Sequence, residues 1–167
     1  MHATSKFPVW LFLITFALTF YGMGASFVES FVNYPTWRLI GSAEFVAYRQ
    51  ALSPLIIGYM VIPLLVATIL TLLLVWFRPQ PIPRWAVWVS VGLQMISWIS
   101  TAMIQIPIQM ELSANGLSLP LIDQLIFTNF WYRKVPQVIN VILFLWMMSL
   151  LLPISVNRHG DVLDSNR

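Results

Sequence analysis

Four long apolar stretches are the strongest constraint on how this chain can fold. They cover about residues 8–33, 54–77, 85–111 and 135–153, and a helix of roughly 20 residues is enough to cross about 30 Å of hydrocarbon. The composition agrees, because 59% of the residues are hydrophobic and only 9% are charged, whereas about a quarter are charged in soluble domains. We therefore predict one all-α domain, an integral membrane four-helix bundle, followed by a polar tail at 154–167.

The connections between the predicted spans differ in length. The turn after Arg78 is short and rich in proline, which predicts that spans two and three are antiparallel neighbours. Residues 34–53 and 113–134 are longer, and each is predicted to hold a short interfacial helix over the mouth of the bundle. Ser53 followed by Pro54 has the chemistry of a helix start and is predicted to begin span two.

The basic residues predict an orientation. Of the nine, five fall on the side of the termini and four on the opposite side, and an excess of Lys and Arg marks the cytoplasmic side. We therefore predict cytoplasmic termini and a location in the plasma (inner) membrane. The net charge of +3 is better explained by loop charges facing anionic membrane lipid than by nucleic-acid binding.

Cysteine and histidine usage excludes several kinds of chemistry. The chain has no cysteine, and its two histidines, His2 and His159, both lie in terminal tails. Disulfides, iron–sulfur ligation and thiol catalysis are therefore excluded, and no imidazole pair inside the membrane is left to hold a haem or a metal. We predict neither a cofactor nor a metal site.

Polar residues recur on one face of spans one and three. At 100° per residue, those of span three fall within an arc of roughly 120°. They are Gln94, Ser97, Thr101, Gln105 and Gln109. Span one has a matching stripe at steps of three and four: Thr15, Thr19, Gly22, Ser26, Glu29 and Asn33. An unsatisfied polar group in hydrocarbon costs several kcal/mol, so both stripes are predicted to face the bundle interior.

Two carboxylates, Glu29 and Glu111, lie at or inside the predicted membrane boundary. An ionisable residue at this depth indicates either a functional group or a buried ion pair. As functional groups, both are predicted catalytic residues that accept a proton. The alternative is pairing with a nearby arginine: Arg38, Arg49 or Arg133.

Pro107 is predicted to bend span three between two amides, since it frees the carbonyl of Met103 from its helical hydrogen bond. A bend lined by amides, under a lid of loop segments, predicts a pocket for a hydrophobic small molecule. The predicted ligand-binding residues are Gln105, Gln109, Asn140, Arg49 and Trp98. The alternative is that the amides only join helices through hydrogen bonds.

Three segments resemble a group of small four-helix membrane proteins that includes the anthrone oxygenase-like family. They are FVNYPTWRLIGSAEFVAYRQAL (31–52), QIPIQMEL (105–112) and the segment around Asn129–Arg133. The resemblance covers most of the chain in layout and implies oxygenase-like chemistry. In that pattern one histidine follows the tyrosine of the first loop and another follows the proline of span three. Arg49 and Gln109 stand at those places here, so the resemblance supplies no catalytic residue.

Two functions remain open from the sequence. The first is a membrane protein that binds a hydrophobic aromatic or quinone-like molecule, or a cofactor-independent enzyme acting on it with Glu29 or Glu111 as the proton acceptor. The second is a non-enzymatic accessory subunit of a larger membrane complex, with a homo-oligomer as a further form. The expected surroundings are membrane lipid, and no nucleic-acid partner is expected.

Overall fold

The computed structural model describes residues 6–152, so the predicted polar tail and both histidines lie outside the described residues. The described part is all-α, without strands, and consists of four long helices. We label them α1 (Phe7–Leu39), α2 (Phe45–Phe77), α3 (Arg84–Asn115) and α4 (119–149). Among the residues described, α1, α2 and α3 are each long and apolar enough to cross a membrane.

The four helices form an antiparallel bundle. α1 packs against α2 and α3 packs against α4, while contacts of α2 with α3 and of α1 with α4 complete the ring. The short turn after Arg78 makes α2 and α3 neighbours, as the sequence predicted. We call the end with this turn and Phe7 the termini end. The loop end is the opposite one, where residues 40–44 and 116–118 connect the helices.

The connections at the loop end are shorter than the sequence predicted. The segments expected to form separate interfacial helices instead extend the long helices, so that α1 runs on to Leu39 and α2 already begins at Phe45. The helix start predicted at Ser53 and Pro54 is wrong, because Pro54 lies inside α2. Phe45 is fully buried in an apolar core, and this tertiary packing outweighs the local signal for a helix start.

Each of the four helices contains one five-residue π-helical segment. These segments are Glu29–Asn33, Ile57–Val61, Thr101–Gln105 and Phe130–Lys134. A proline stands at the second position after each of them: Pro35, Pro63, Pro107 and Pro136. A proline lacks the N–H that would bond the carbonyl four residues earlier, and its ring clashes with that carbonyl. The wider π turn accommodates both effects without ending the helix.

One of the carbonyls left by these prolines has a side-chain donor. Pro63 cannot donate to the carbonyl of Tyr59, and the hydroxyl of Tyr21 on α1 donates to that oxygen at 2.8 Å. The bend predicted at Pro107 corresponds to the π segment of α3. The prolines therefore shape the helices at their π segments instead of dividing them.

Two apolar cores lie along the bundle, one near each end. The core at the termini end contains Leu11, Phe12, Leu74, Val75, Ile82, Ala86, Val87, Phe144 and Met147. The core at the loop end contains Tyr34, Trp37, Phe45, Ile108, Leu112, Ile122 and Leu125. Buried polar residues occupy the level between them, and we call this set the central polar layer. Its members are Ser26, Glu29, Ser30, Thr68, Thr71, Ser90, Gln105, Asn129, Arg133, Lys134 and Asn140.

The two predicted polar stripes face the interior. On α1, all stripe residues are buried except Asn33, which is half-buried. On α3, Gln105 is fully buried, and the other four stripe residues are half-buried. Apolar residues of α3 that lie outside the stripe, such as Ile99 and Met103, are exposed. The inward orientation of both stripes is therefore confirmed.

Gly22 marks the closest approach of α1 to α2 and gives a test of this packing. A Cβ atom at Gly22 would lie 2.4 Å from Cδ2 of Leu64, whereas one at the exposed Gly24 would meet nothing within 4 Å. We expect Gly22→Leu to lower the free energy of unfolding by about 1–3 kcal/mol through overpacking, and Gly24→Leu to leave it nearly unchanged. Thermal unfolding of both variants in one detergent measures this difference. Equal melting temperatures would contradict the close α1–α2 contact.

Candidate ligand-binding site

A cavity lies inside the bundle, on the termini side of the π segments, and side chains of all four helices line it. Its volume is about 60 Å³, which is room for a few water molecules or for one small chemical group. Its polar lining residues are Thr19, Thr68, Gln94, Ser97, Trp98, Thr101, Arg133, Gln137 and Asn140. Its apolar lining residues are Met23, Val61, Leu64, Ala67, Leu93, Pro136 and Val141. Among the described residues, no carboxylate lines this cavity.

A hydrogen-bonded network of amides and hydroxyls forms one wall of the cavity. Ser90 Oγ donates to Asn140 Oδ1 at 2.6 Å, and Gln94 Nε2 lies 3.2 Å from Ser90 Oγ and 3.0 Å from Thr71 Oγ1. The network joins α2, α3 and α4. Such interhelical bonds hold neighbouring helices in register inside a bundle.

Trp98 is fixed on the same wall. Its Nε1 donates to Thr68 Oγ1 at 3.0 Å, and the Thr68 hydroxyl in turn donates to the carbonyl of Leu64 at 2.9 Å. The indole ring therefore presents a flat apolar surface whose orientation is set by its polar edge.

Lys134 is a buried basic residue on α4, only 2% exposed. Its Nζ donates to the carbonyl of Ser26 at 2.8 Å, to the hydroxyl of the same residue, and to Gln137 Oε1 at 3.0 Å. All three acceptors are neutral, so the ammonium group has its hydrogen bonds but no ion pair from them. Phe27 adds a ring face at 5.4 Å, within the range of a cation–π contact.

Arg133, the neighbour of Lys134, is also buried and lies on the cavity wall. Its guanidinium contacts the hydroxyl of Tyr34, while its Nε has no hydrogen-bond partner. Glu29 is the one buried carboxylate in residues 6–152. Asn33 Nδ2 donates to Glu29 Oε2 at 2.5 Å, and Arg133, Lys134 and Arg49 act on this carboxylate through their charges.

Arg49 forms a second buried polar group, nearer to the loop end. Its guanidinium carbon lies 4.4 Å from the centre of the Trp37 ring, and its NH2 donates to Gln109 Oε1 at 3.1 Å. Gln109 Nε2 donates to the hydroxyl of Tyr34 at 3.3 Å. The arginine and glutamine predicted as ligand-binding residues are therefore in contact with each other, next to the loop-end core.

The predicted site residues do not form one group. Trp98 and Asn140 line the cavity, whereas Arg49 and Gln109 pair near the loop end. Gln105 is fully buried, and its Nε2 donates to Thr128 Oγ1 at 3.1 Å while its Oε1 has no partner.

The two predicted catalytic carboxylates are also separated from each other. Glu29 is buried beside the cations of the central polar layer, and Glu111 lies exposed on α3. Neither lines the cavity. No group of three potential metal ligands among His, Cys, Asp and Glu occurs in the described part of the chain.

An outer groove of about 290 Å³ lies between α1 and α4 at the level of their π segments. It is lined by Ser30, Phe31, Asp123, Ile126, Phe127, Asn129, Phe130 and Lys134. Lys134 is thus on the wall of the groove, while Gln137, which accepts its hydrogen bond, is on the wall of the cavity.

The sequence did not identify Lys134 as a site residue and treated Arg133 only as a possible partner of a carboxylate. The sequence did contain a signal that Arg133 faces the bundle interior. Arg133, Gln137 and Asn140 are spaced by four and then three residues, which is the period of one helix face. Treating residues 113–134 as a connection hid this face, since the helix was expected to begin only at Val135. α4 continues through that point.

No family model, no curated protein and no solved structure matches this chain. The resemblance to anthrone oxygenase-like proteins therefore stays a prediction.

Replacing each of the two carboxylates tests which one contributes to the stability of the bundle. We expect Glu29→Gln to lower the free energy of unfolding by about 1–3 kcal/mol, because it removes the one buried carboxylate of the described residues, on which Arg49, Arg133 and Lys134 act. Glu111→Gln changes an exposed side chain and should stay within about 0.5 kcal/mol of the parent protein. Thermal unfolding in a single detergent compares them. A larger loss for Glu111→Gln would contradict the structural role of Glu29.

Proposed function

We propose that this chain is an integral membrane protein whose four helices all cross the bilayer and whose central cavity binds part of a lipophilic small molecule. Support for membrane insertion comes first from α1, α2 and α3, which have the length and hydropathy of spans. Large apolar side chains are also exposed along the outer faces of all four helices. In water such an extensive apolar surface would favour aggregation, whereas lipid solvates it.

α4 has the same outer surface, although its hydropathy is lower. The charges that lower it, Arg133 and Lys134, are both buried in the bundle. Its outer face carries exposed Ile139, Ile142 and Leu145. Lipid would therefore meet an apolar helix surface, because the cations are directed to the interior, as expected for ionisable residues in a spanning helix.

The position of the π segments supports a specific depth of the bundle in the bilayer. Between the termini end and its π segment, each of α2, α3 and α4 has 15 to 17 residues. Together with the π segment this is roughly 30 Å of helix, the thickness of the hydrocarbon layer. The remaining helix at the loop end would then project beyond the hydrocarbon, which accounts for its exposed Glu44, Glu111 and Asp123.

Burial also changes the count of exposed basic residues from which the membrane orientation is predicted. Three of the four basic residues that the sequence assigned to the loop-end side, Arg49, Arg133 and Lys134, are buried, so that Arg38 alone is exposed there among the described residues. The termini end has Lys6, Arg78 and Arg84 in the described part. The larger basic excess at the termini end supports a cytoplasmic position for it.

Cysteine labelling tests the topology, because the chain has no cysteine of its own. Ser42→Cys is in the exposed turn at the loop end, and Gln80→Cys is in the exposed turn at the termini end. We expect a membrane-impermeant maleimide to label Ser42→Cys in intact cells and Gln80→Cys only after permeabilisation. The cysteine-free parent protein is the control for background labelling. Labelling of both variants in intact cells would contradict the proposed topology.

Binding is supported chiefly by the cavity itself, which brings a tryptophan face, several amides and a guanidinium together inside an apolar bundle. A pocket with apolar walls and a few converging polar groups is the usual form of a small-molecule site. Because no described carboxylate lines it, the cavity offers groups that bind and orient a molecule, and no obvious proton acceptor. We therefore restrict the proposal to binding.

The binding proposal is tested by filling the cavity. Ser97 lines it and is half-buried, while Ala102, on the same helix, is exposed. Protein purified in mild detergent should release a lipophilic compound into an organic extract, as detected by mass spectrometry. We expect Ser97→Phe to reduce the amount at least about tenfold by occupying the space, and Ala102→Phe to retain it.

Retention by both variants would contradict binding at this site. Absence of any copurifying molecule, together with a stable stoichiometric protein partner, would favour the accessory-subunit function instead.

A further inference from the structure

Buried basic side chains outnumber buried carboxylates in the described part of the bundle. Within residues 6–152 the buried basic side chains are Arg49, Arg133 and Lys134, and the one buried carboxylate is that of Glu29. Counting only the two arginines against Glu29, the sum is two positive charges minus one negative charge, or +1. The ion pair found in the described residues, between Arg38 and Asp123, is on the surface and does not change this sum.

The three basic side chains differ in how well the protein already solvates them. Lys134 donates to three oxygen atoms, and Arg49 has Gln109 and the face of Trp37. Arg133 has fewer partners, because its guanidinium contacts the hydroxyl of Tyr34 and its Nε, like that of Arg49, is buried without an acceptor. It is also the cation that lines the central cavity. Its exposed fraction is only 6%, so bulk water does not supply the missing acceptor.

We propose that the ligand of the central cavity carries an anionic group, most simply a carboxylate, and that Arg133 binds this group. This inference rests on the proposed binding function and specifies the chemistry of the bound molecule. A guanidinium presents several N–H donors in one plane, which match the two oxygens of a carboxylate. The bound anion would supply an acceptor for Arg133 and reduce the positive excess of the buried layer.

The rest of the cavity fits the other parts of such a molecule. Gln94, Gln137 and Asn140 supply amide groups around the anionic end. Trp98, Met23 and Leu64 supply an apolar surface for an attached ring or chain. The volume of about 60 Å³ suits a small head group better than a bulky one, since complete drug-sized ligands occupy several hundred Å³.

Three probes of nearly equal shape separate charge from size: benzoate, benzyl alcohol and benzylamine, which is a cation at neutral pH. Binding of each to the purified full-length chain is measured in a non-ionic detergent by saturation-transfer NMR titration. We expect benzoate to bind at least about tenfold more tightly than benzyl alcohol, as for a hydrogen bond to a charged group, and benzylamine to bind least. Arg133→Gln should abolish the preference for benzoate, whereas Arg38→Gln, a change at an exposed surface pair, should keep it.

The outcomes separate this inference from the binding function on which it rests. Equal binding of benzoate and benzyl alcohol, both lost in Ser97→Phe, would keep the cavity as a binding site and overturn its anion preference. No binding of any probe, together with no copurifying compound, would overturn both. A preference for benzoate that persists in Arg133→Gln would overturn the role of this arginine.

A second variant covers the case in which Arg133→Gln does not fold. Thr101 lines the same cavity from α3, and Thr101→Glu places a carboxylate there that competes with the ligand for the cation. We expect this variant to lose the preference for benzoate and to keep binding of benzyl alcohol. Ala102→Glu, on the exposed face, is its matched control. An unchanged preference in Thr101→Glu would overturn the inference.

Discussion

The need to satisfy polar groups away from water is the constraint on which the rest of this bundle depends. An unpaired polar group in an apolar interior costs several kcal/mol, and an unpaired charge costs more. The chain concentrates these groups at one level, between an apolar core at each end. The carbonyl and hydroxyl of Ser26 and the amide oxygen of Gln137 accept hydrogen bonds from Lys134. Such bonds join α1 to α4 in addition to the apolar contact between them.

Much of the fold could be predicted because the relevant signals repeat along the chain. The apolar runs gave four helices, and the helical period of residues such as Thr15, Thr19 and Ser26 gave the faces that meet. The helix ends were harder. Pro54 follows a serine in the way a helix start does. The helix nevertheless begins earlier, at Phe45, because Phe45 packs against residues that are distant in sequence. A local signal carries no information on such a contact, since the partner residues are far away in sequence.

The site was predicted only in part, and the reasons lie in single residues. Trp98 and Asn140, both predicted ligand-binding residues within the expected spans, lie on the cavity wall. Glu111 is two positions from Gln109, which is about 200° around a helix, so the same helical wheel that placed the glutamine inside would have placed the glutamate outside. Arg133 and Lys134 were counted as connection residues, and a residue assumed to face water was not tested for burial.

The hydrogen bond between Lys134 and Gln137 has a consequence for how fast a molecule could exchange between the interior and the surrounding lipid. It connects the wall of the outer groove to the wall of the cavity, so the barrier between the two spaces includes flexible side chains as well as helix backbone. Rotation of these side chains breaks only a few hydrogen bonds, whereas the separation of packed helices breaks the whole contact between them and takes roughly microseconds to milliseconds. At the proposed depth in the bilayer the groove lies at the edge of the hydrocarbon layer, where a compound dissolved among acyl chains would reach it sideways. Its residence time would then depend on the lifetime of a few polar contacts, while the bundle itself stays assembled.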